Sequence, residues 1–125
     1  MESLNIRHKV WLEKNGRVLF GEGRYELLKT IAECKSLNAA AKKLNMSYRA
    51  AWGRLKASEE RLGIPLVVIE SQKQGMHLTE QATALLEAFD QLEKEITSLI
   101  AERTKQLSFL CTPDSDKKQE SSKSS

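Results

Sequence analysis

Within one short stretch, Ser47, Tyr48, Arg49, Gly53, Arg54 and Lys56 have the types and spacing to grip an anionic polymer and read its edges. A Ser can cap a helix start, and a helix N-terminus presents free amides and the positive end of its dipole to a phosphate. Tyr48 adds a hydroxyl for phosphate or a flat face for a thymine methyl. Arg49, one turn in, carries a guanidinium fork that matches guanine O6 and N7. Gly53, next on that face, has no side chain to hold the helix away from a groove floor. Arg54 and Lys56 suit flanking phosphates, and Lys42 and Lys43 on the preceding segment suit backbone contact.

Two elements must position these groups. Ser36 starts a short Ala-rich helix, and residues 45–47, Asn-Met-Ser, break it, because Asn tolerates a left-handed turn and Ser caps the next helix. From Tyr48 that second helix carries Ala51, Leu55, Ser58 and Leu62 on an inward stripe, with Arg49, Gly53, Lys56 and Glu60 opposite. Helix, tight turn and basic-faced helix make a helix-turn-helix, whose second helix enters the DNA major groove. Seven basic residues in 35–61 against Glu59 and Glu60 leave that stretch at +5 in a chain of net charge +3. Clustered positive charge on a groove-sized element is the footprint of a phosphate-binding surface.

The rest of the chain reads as support. Residues 6–20 predict a β-hairpin, since Val10, Leu12, Val18 and Phe20 alternate with polar neighbours around Asn15-Gly16, the strongest short signal for a two-residue turn. Trp11 would anchor it by packing, with base stacking as the alternative. A first helix runs from Arg24, with Tyr25, Leu28, Ile31 and Ala32 inward and Leu27 broadening the stripe. Ala39, Ala40 and Leu44 of the second helix should lie between the others. Gly63 and Pro65 end the second helix of the motif. Residues 66–70 and 76–78 then form a two-stranded wing with Lys73 near its tip and Gln72 and Gln74 beside it; Trp52 is read as packing against it.

Thr79 caps a long helix over 80–104 in which Ala82, Leu85, Phe89, Leu92, Ile96 and Leu99 recur at spacings of 3 and 4. At 1.5 Å per residue it is roughly 37 Å long, more than a small trihelical core covers. Leu85, Phe89, Leu92, Ile96 and Leu99 are therefore expected to meet a second copy, the alternative being a helix folded back along its own domain. Six acids against Lys94 and Arg103 give this segment −4, which keeps it off DNA. The expected organisation is a DNA-binding unit over 1–79, a dimerisation helix over 80–104 and a disordered tail over 105–125.

Other functions are disfavoured. His8 and His77 fall on predicted strands with no nucleophile, acid pair or glycine-rich phosphate loop beside them, so neither catalysis nor a cofactor is expected. Cys34 and Cys111 show no metal-ligand or disulfide spacing. The longest apolar stretch, 64–69, contains Pro65 and is too short to span a bilayer. A reducing cytoplasm is the expected compartment.

Residues 36–67, SLNAAAKKLNMSYRAAWGRLKASEERLGIPLV, resemble the amino-terminal domain of the ModE-type molybdate regulators, within the LysR-like winged-helix group. The Ala pair and the exit Leu62-Gly63-Ile64-Pro65-Leu66 are general to that group, and Ser47-Tyr48-Arg49-Ala50-Ala51-Trp52 is the more particular signature. The likeness extends over about residues 6–104 and implies a mainly α protein with small β elements. Its implied form is a winged helix-turn-helix with an N-terminal hairpin and a long C-terminal dimerisation helix. It also implies sequence-specific binding of double-stranded DNA by a homodimer. Three departures accompany it: the wing has Gly75 alone where glycines are usual, Lys35 stands where glycine is usual, and no molybdate-binding domain comes after the long helix. Molybdate sensing is therefore not carried over. The competing expectations are a winged-helix protein-interaction module and a non-specific architectural DNA binder.

Overall fold

The computed structural model describes residues 3–71 and 75–111. The chain divides into two units, one formed by Val10–Gln91 and the other by the N-terminal residues through Lys9 with the chain from Leu92 onward.

The larger unit opens with a hairpin of β1 (Leu12–Lys14) and β2 (Arg17–Phe20), paired antiparallel with Leu12 opposite Phe20 and a bulge between Leu12 and Glu13. Asn15 at φ 55° and Gly16 at φ 78° supply the two positive-φ residues that the tight turn requires. The hairpin is shorter than the alternation over 6–20 predicted. Phe20 is followed at once by Gly21, the N-cap of the next helix, so residues before Leu12 have no strand to pair with. Trp11, expected as an anchor, is exposed, and its indole N–H donates to Glu13 at 2.6 Å.

Next come three helices: α1 (Glu22–Cys34), α2 (Leu37–Lys43) and α3 (Tyr48–Leu62). α1 ends on Lys35, left-handed at φ 56°, whose amide donates to Ile31 O at 2.7 Å. Ser36 caps α2 by accepting from the Ala39 amide at 3.1 Å, which sets the helical phase. Leu37, Ala40 and Ala41 consequently face the core, whereas Ala39, expected inward, is exposed. Ala32 of α1, also expected inward, is exposed as well, since Leu27, Leu28 and Ile31 define that helix's inward stripe. Asn45, left-handed at φ 62°, turns the chain, and Met46 N–H returns to Ala41 O at 2.9 Å. α3 buries Ala51, Leu55 and Ser58 and stops at Gly63, at φ 72°.

The wing pairs β3 (Val67–Ser71) with β4 (Gly75–Leu78), Val67 lying opposite Leu78 and a bulge falling between Ile69 and Ser71. Lys73, Gln72 and Gln74, assigned to its tip, lie outside the described residues. The wing is fastened at three points. Met76 N–H donates to Lys35 O at 3.0 Å, Thr79 N–H to Leu66 O at 3.0 Å, and Leu66 N–H to the Glu59 carboxylate at 2.8 Å.

Thr79 caps α4 (Glu80–Gln106), its hydroxyl oxygen accepting from Ala82 N–H at 3.1 Å. A 3-10 turn comes after it at Ser108–Leu110, so regular structure runs past residue 104, where it was expected to end; 112–125 lie outside the described residues. Ala82 and Phe89 of α4 are buried and Leu85 and Leu86 pack beside them. Phe89 meets Phe20 edge-on at a centroid separation of 5.1 Å and Tyr25 at 5.5 Å, an aromatic cluster that closes the larger unit. Phe89 thus belongs to the protomer's own core and Leu85 packs against that core, which corrects the assignment of both to a seam with a second copy. Tyr25 OH donates to Asp90 alongside, and this bond, with burial, pushes the phenol up to about 12.

In the second unit His8 Nε2 lies 3.0 Å from the Glu93 carboxylate. Leu92 and Leu99 of α4 are exposed there, with Ile96 and Ile100 half-buried. Leu107, Phe109 and Leu110 add further exposed apolar surface. No helix among the described residues is long and apolar enough to cross a membrane.

Candidate nucleic-acid interface

α3 presents to solvent the face that its periodicity predicts. Arg49, Gly53, Lys56 and Glu60 are all exposed on the side opposite Ala51, Leu55 and Ser58. Ser47 N-caps the helix, its side-chain oxygen accepting from Ala50 N–H at 3.0 Å. Tyr48, the first residue of α3, is 52% exposed. Arg49 makes no hydrogen bond or ion pair among the described residues, leaving its fork free. A Cβ built on Gly53 meets nothing within 4 Å. Internal packing therefore does not require glycine there, although it costs helix stability by about 1 kcal/mol relative to alanine.

Lys56 is more constrained than a flanking phosphate contact would be. Its ammonium sits 4.6 Å from the centroid of the Trp52 ring and 3.2 Å from Glu59 Oε1. Burial alone would raise the Glu59 carboxyl, but the Leu66 amide, the Lys56 ammonium and the Val67 amide together hold it below its ordinary value. Trp52 is itself 39% exposed and serves as the platform under Lys56. On the preceding helix Lys42 and Lys43 are exposed, and Lys43 lies 3.5 Å from Glu33.

On the other flank of α3 stands Arg24, which the sequence did not single out. Its Nε donates to Ser58 Oγ at 2.9 Å, and Ser58 Oγ donates in turn to the Arg54 carbonyl at 2.7 Å. Burial and the nearby guanidinium groups of Arg61 and Arg54 lower the Arg24 pKa. Three arginines from two helices therefore converge with no carboxylate paired to any of them among the described residues. Arg24 lies outside the basic stretch 35–61 and is joined to it by a contact that spans 34 residues, so no local spacing reveals it. Among the described residues no group of three or more His, Cys, Asp or Glu could hold a metal ion.

Three packed helices, an exposed basic face on the third and a β-hairpin directly after it define a winged helix-turn-helix domain. Residues 23–83 match the family described as bacterial regulatory helix-turn-helix protein, lysR family. Over 74 residues the chain is 38% identical to the transcriptional regulator ModE of Haemophilus influenzae, covering 57% of this chain and 29% of that protein. Over 103 residues it is 30% identical to the molybdenum-pterin-binding protein MopB of Rhodobacter capsulatus, covering 80% of this chain and 38% of that one. The chain thus spans well under half the length of these curated relatives. Among solved structures, the CbnR_DBD-DNA complex superposes with a TM-score of 0.51 at 27% identity, covering 70% of this chain and 98% of that chain.

Proposed function

We propose that this protein is a transcriptional regulator that binds double-stranded DNA sequence-specifically as a homodimer in the cytoplasm. The observation that carries this reading is the outward face of α3, where Arg49, unpartnered among the described residues, stands one turn before Gly53 on a helix whose start is capped by Ser47. A guanidinium with no partner among the described residues, beside a position with no side chain, suits a helix seated on base edges. The relative from H. influenzae is named a transcriptional regulator, and the CbnR domain was solved on DNA; both support the reading.

Ser47, the amides behind it and Tyr48 are assigned to phosphate at the helix start. Arg49 is assigned to base readout, Gly53 to close approach, and Arg54 to a flanking phosphate. Lys42 and Lys43 remain backbone contacts. Lys56 is assigned chiefly to holding Glu59 and Trp52 in place. Dimerisation is assigned to Leu92, Ile96 and Leu99 of α4, with the exposed Leu107, Phe109 and Leu110. The reading assigns no reaction and no oxyanion to this chain.

The test is selection of duplexes from a randomised pool, with fluorescence anisotropy of the selected sites and Arg49→Ala alongside. Enrichment of a two-fold symmetric motif, with its preference lost at one base pair in the variant, is expected. Salt-sensitive binding that enriches no motif would replace sequence-specific regulation by an architectural role. No binding at low salt would sink DNA recognition and leave a protein-interaction module.

A further inference from the structure

The N-terminal hairpin brings a second group of cations to the flank of α3. Lys14, Asn15 and Arg17 at its turn line an open groove of about 660 Å³ with Ala57, Glu60 and Arg61 of α3. Arg61 Nη1 donates to the Val18 carbonyl at 3.0 Å, which fixes the last turn of α3 against β2. Lys14 and Arg17 are exposed and face each other in the hairpin register. Among the described residues Glu60 is the one carboxylate lining the groove, and it forms no ion pair with these cations there. Arg54 and Arg24 continue the cationic surface from the groove along the same side of α3. Like charges gathered on three elements, with no carboxylate paired to them among the described residues, repel one another, and an anion lying across them removes that cost.

Resting on the DNA-binding reading, we propose that the β1–β2 hairpin and the C-terminal half of α3 form a second clamp on the duplex. In it Lys14, Arg17 and Arg61 hold phosphates flanking the base pairs that α3 reads. The dimensions agree. Arg61 is fourteen residues beyond Ser47, or roughly 21 Å along the helix axis, whereas the major groove is about 12 Å wide. A helix whose first two turns occupy the groove carries its last two turns out over the sugar-phosphate backbone. The hairpin stands beside those last turns. It gives affinity and orientation without reading sequence.

The test uses the whole chain with Lys14→Ala and Arg17→Ala combined, both being exposed positions outside the core, after melting curves establish an unchanged fold. Affinity is measured against salt on a selected site and on a scrambled duplex. Loss of two phosphate contacts lowers the slope of log K against log[salt] by about 1.8 and weakens both duplexes in parallel. Base preference stays as in wild type. Trimming the flanking base pairs weakens wild type more than the double variant, which keeps only Arg61 of the clamp. An unchanged slope in a variant of a wild type that binds would overturn the clamp while leaving DNA recognition by α3 intact. A changed base preference would overturn the phosphate assignment. If wild type binds neither duplex, both the clamp and the reading beneath it fall.

Discussion

The carbonyl oxygen of Lys35, at the end of α1, accepts the amide hydrogen of Met76 in the wing at 3.0 Å. This bond crosses from the helical core to the hairpin that flanks the recognition helix. Gly75 makes the approach possible, since a Cβ there would lie 2.4 Å from that same oxygen and its φ is 74°.

Gly75→Ala is therefore expected to destabilise the protein. The left-handed backbone alone costs an L-residue about 1–2 kcal/mol, and the collision with the Lys35 carbonyl adds to it. For a domain of this size each kcal/mol lowers Tm by roughly 4–8 °C. Calorimetry decides, and a Tm equal to wild type would mean that the wing is not seated on Lys35.

Gly53→Ala should act in the opposite sense on stability. Its new methyl group enters open space, and alanine is the better helix former by about 1 kcal/mol, so Tm rises. DNA affinity falls by about an order of magnitude if the methyl prises away one bidentate contact worth about 1–3 kcal/mol. A variant that gains stability and binds as well as wild type would remove Gly53 from the interface.

Acid sensitivity should depend on Glu59. Its folded pKa lies below the ordinary value of 4.5, so the stabilisation is fully present above pH 4.5 and is lost as pH falls through the depressed folded value. In Glu59→Gln this titration is absent. The Tm gap between wild type and variant should therefore narrow as pH is lowered below about 4.5. A gap independent of pH would show that Glu59 is not held by Leu66 and Lys56.

Positions on α4 should separate folding from assembly. Phe89→Ala opens a cavity beside Phe20 and Tyr25 and costs about 3–5 kcal/mol, the usual penalty for a buried Phe. Leu99→Lys, at a site 49% exposed, should leave the protomer's fold intact and lower the mass in light scattering to that of one chain. An unchanged mass would take Leu99 out of the dimer contact.

Much of the local structure is legible in the sequence because the responsible groups are neighbours along the chain. Asn15-Gly16 takes two positive φ angles, Ser36 and Ser47 accept from amides three residues on, and Gly63 is left-handed. Each is a contact within one turn. Phe89 is misread because a heptad pattern looks the same whether its partner is another chain or an aromatic pair from β2 and α1. Ala39 is placed inward because three consecutive alanines hide the helical phase that Ser36 sets. The acidic anchor at Lys56 and the cation at Arg24 are hidden because one competes with a predicted contact and the other joins it from a distant helix.

The bond from Met76 to Lys35 also bears on the order in which the chain folds. It closes a loop of about forty residues, an entropic cost incurred only when the enclosed helices are already in place. The packing of α1, α2 and α3 demands shorter closures and should be present in the transition state, with the wing joining afterwards. Weakening the wing at Gly75 should then quicken unfolding and leave the refolding rate almost untouched, so that the hairpin beside the recognition helix governs how long the native state persists rather than how fast it is reached.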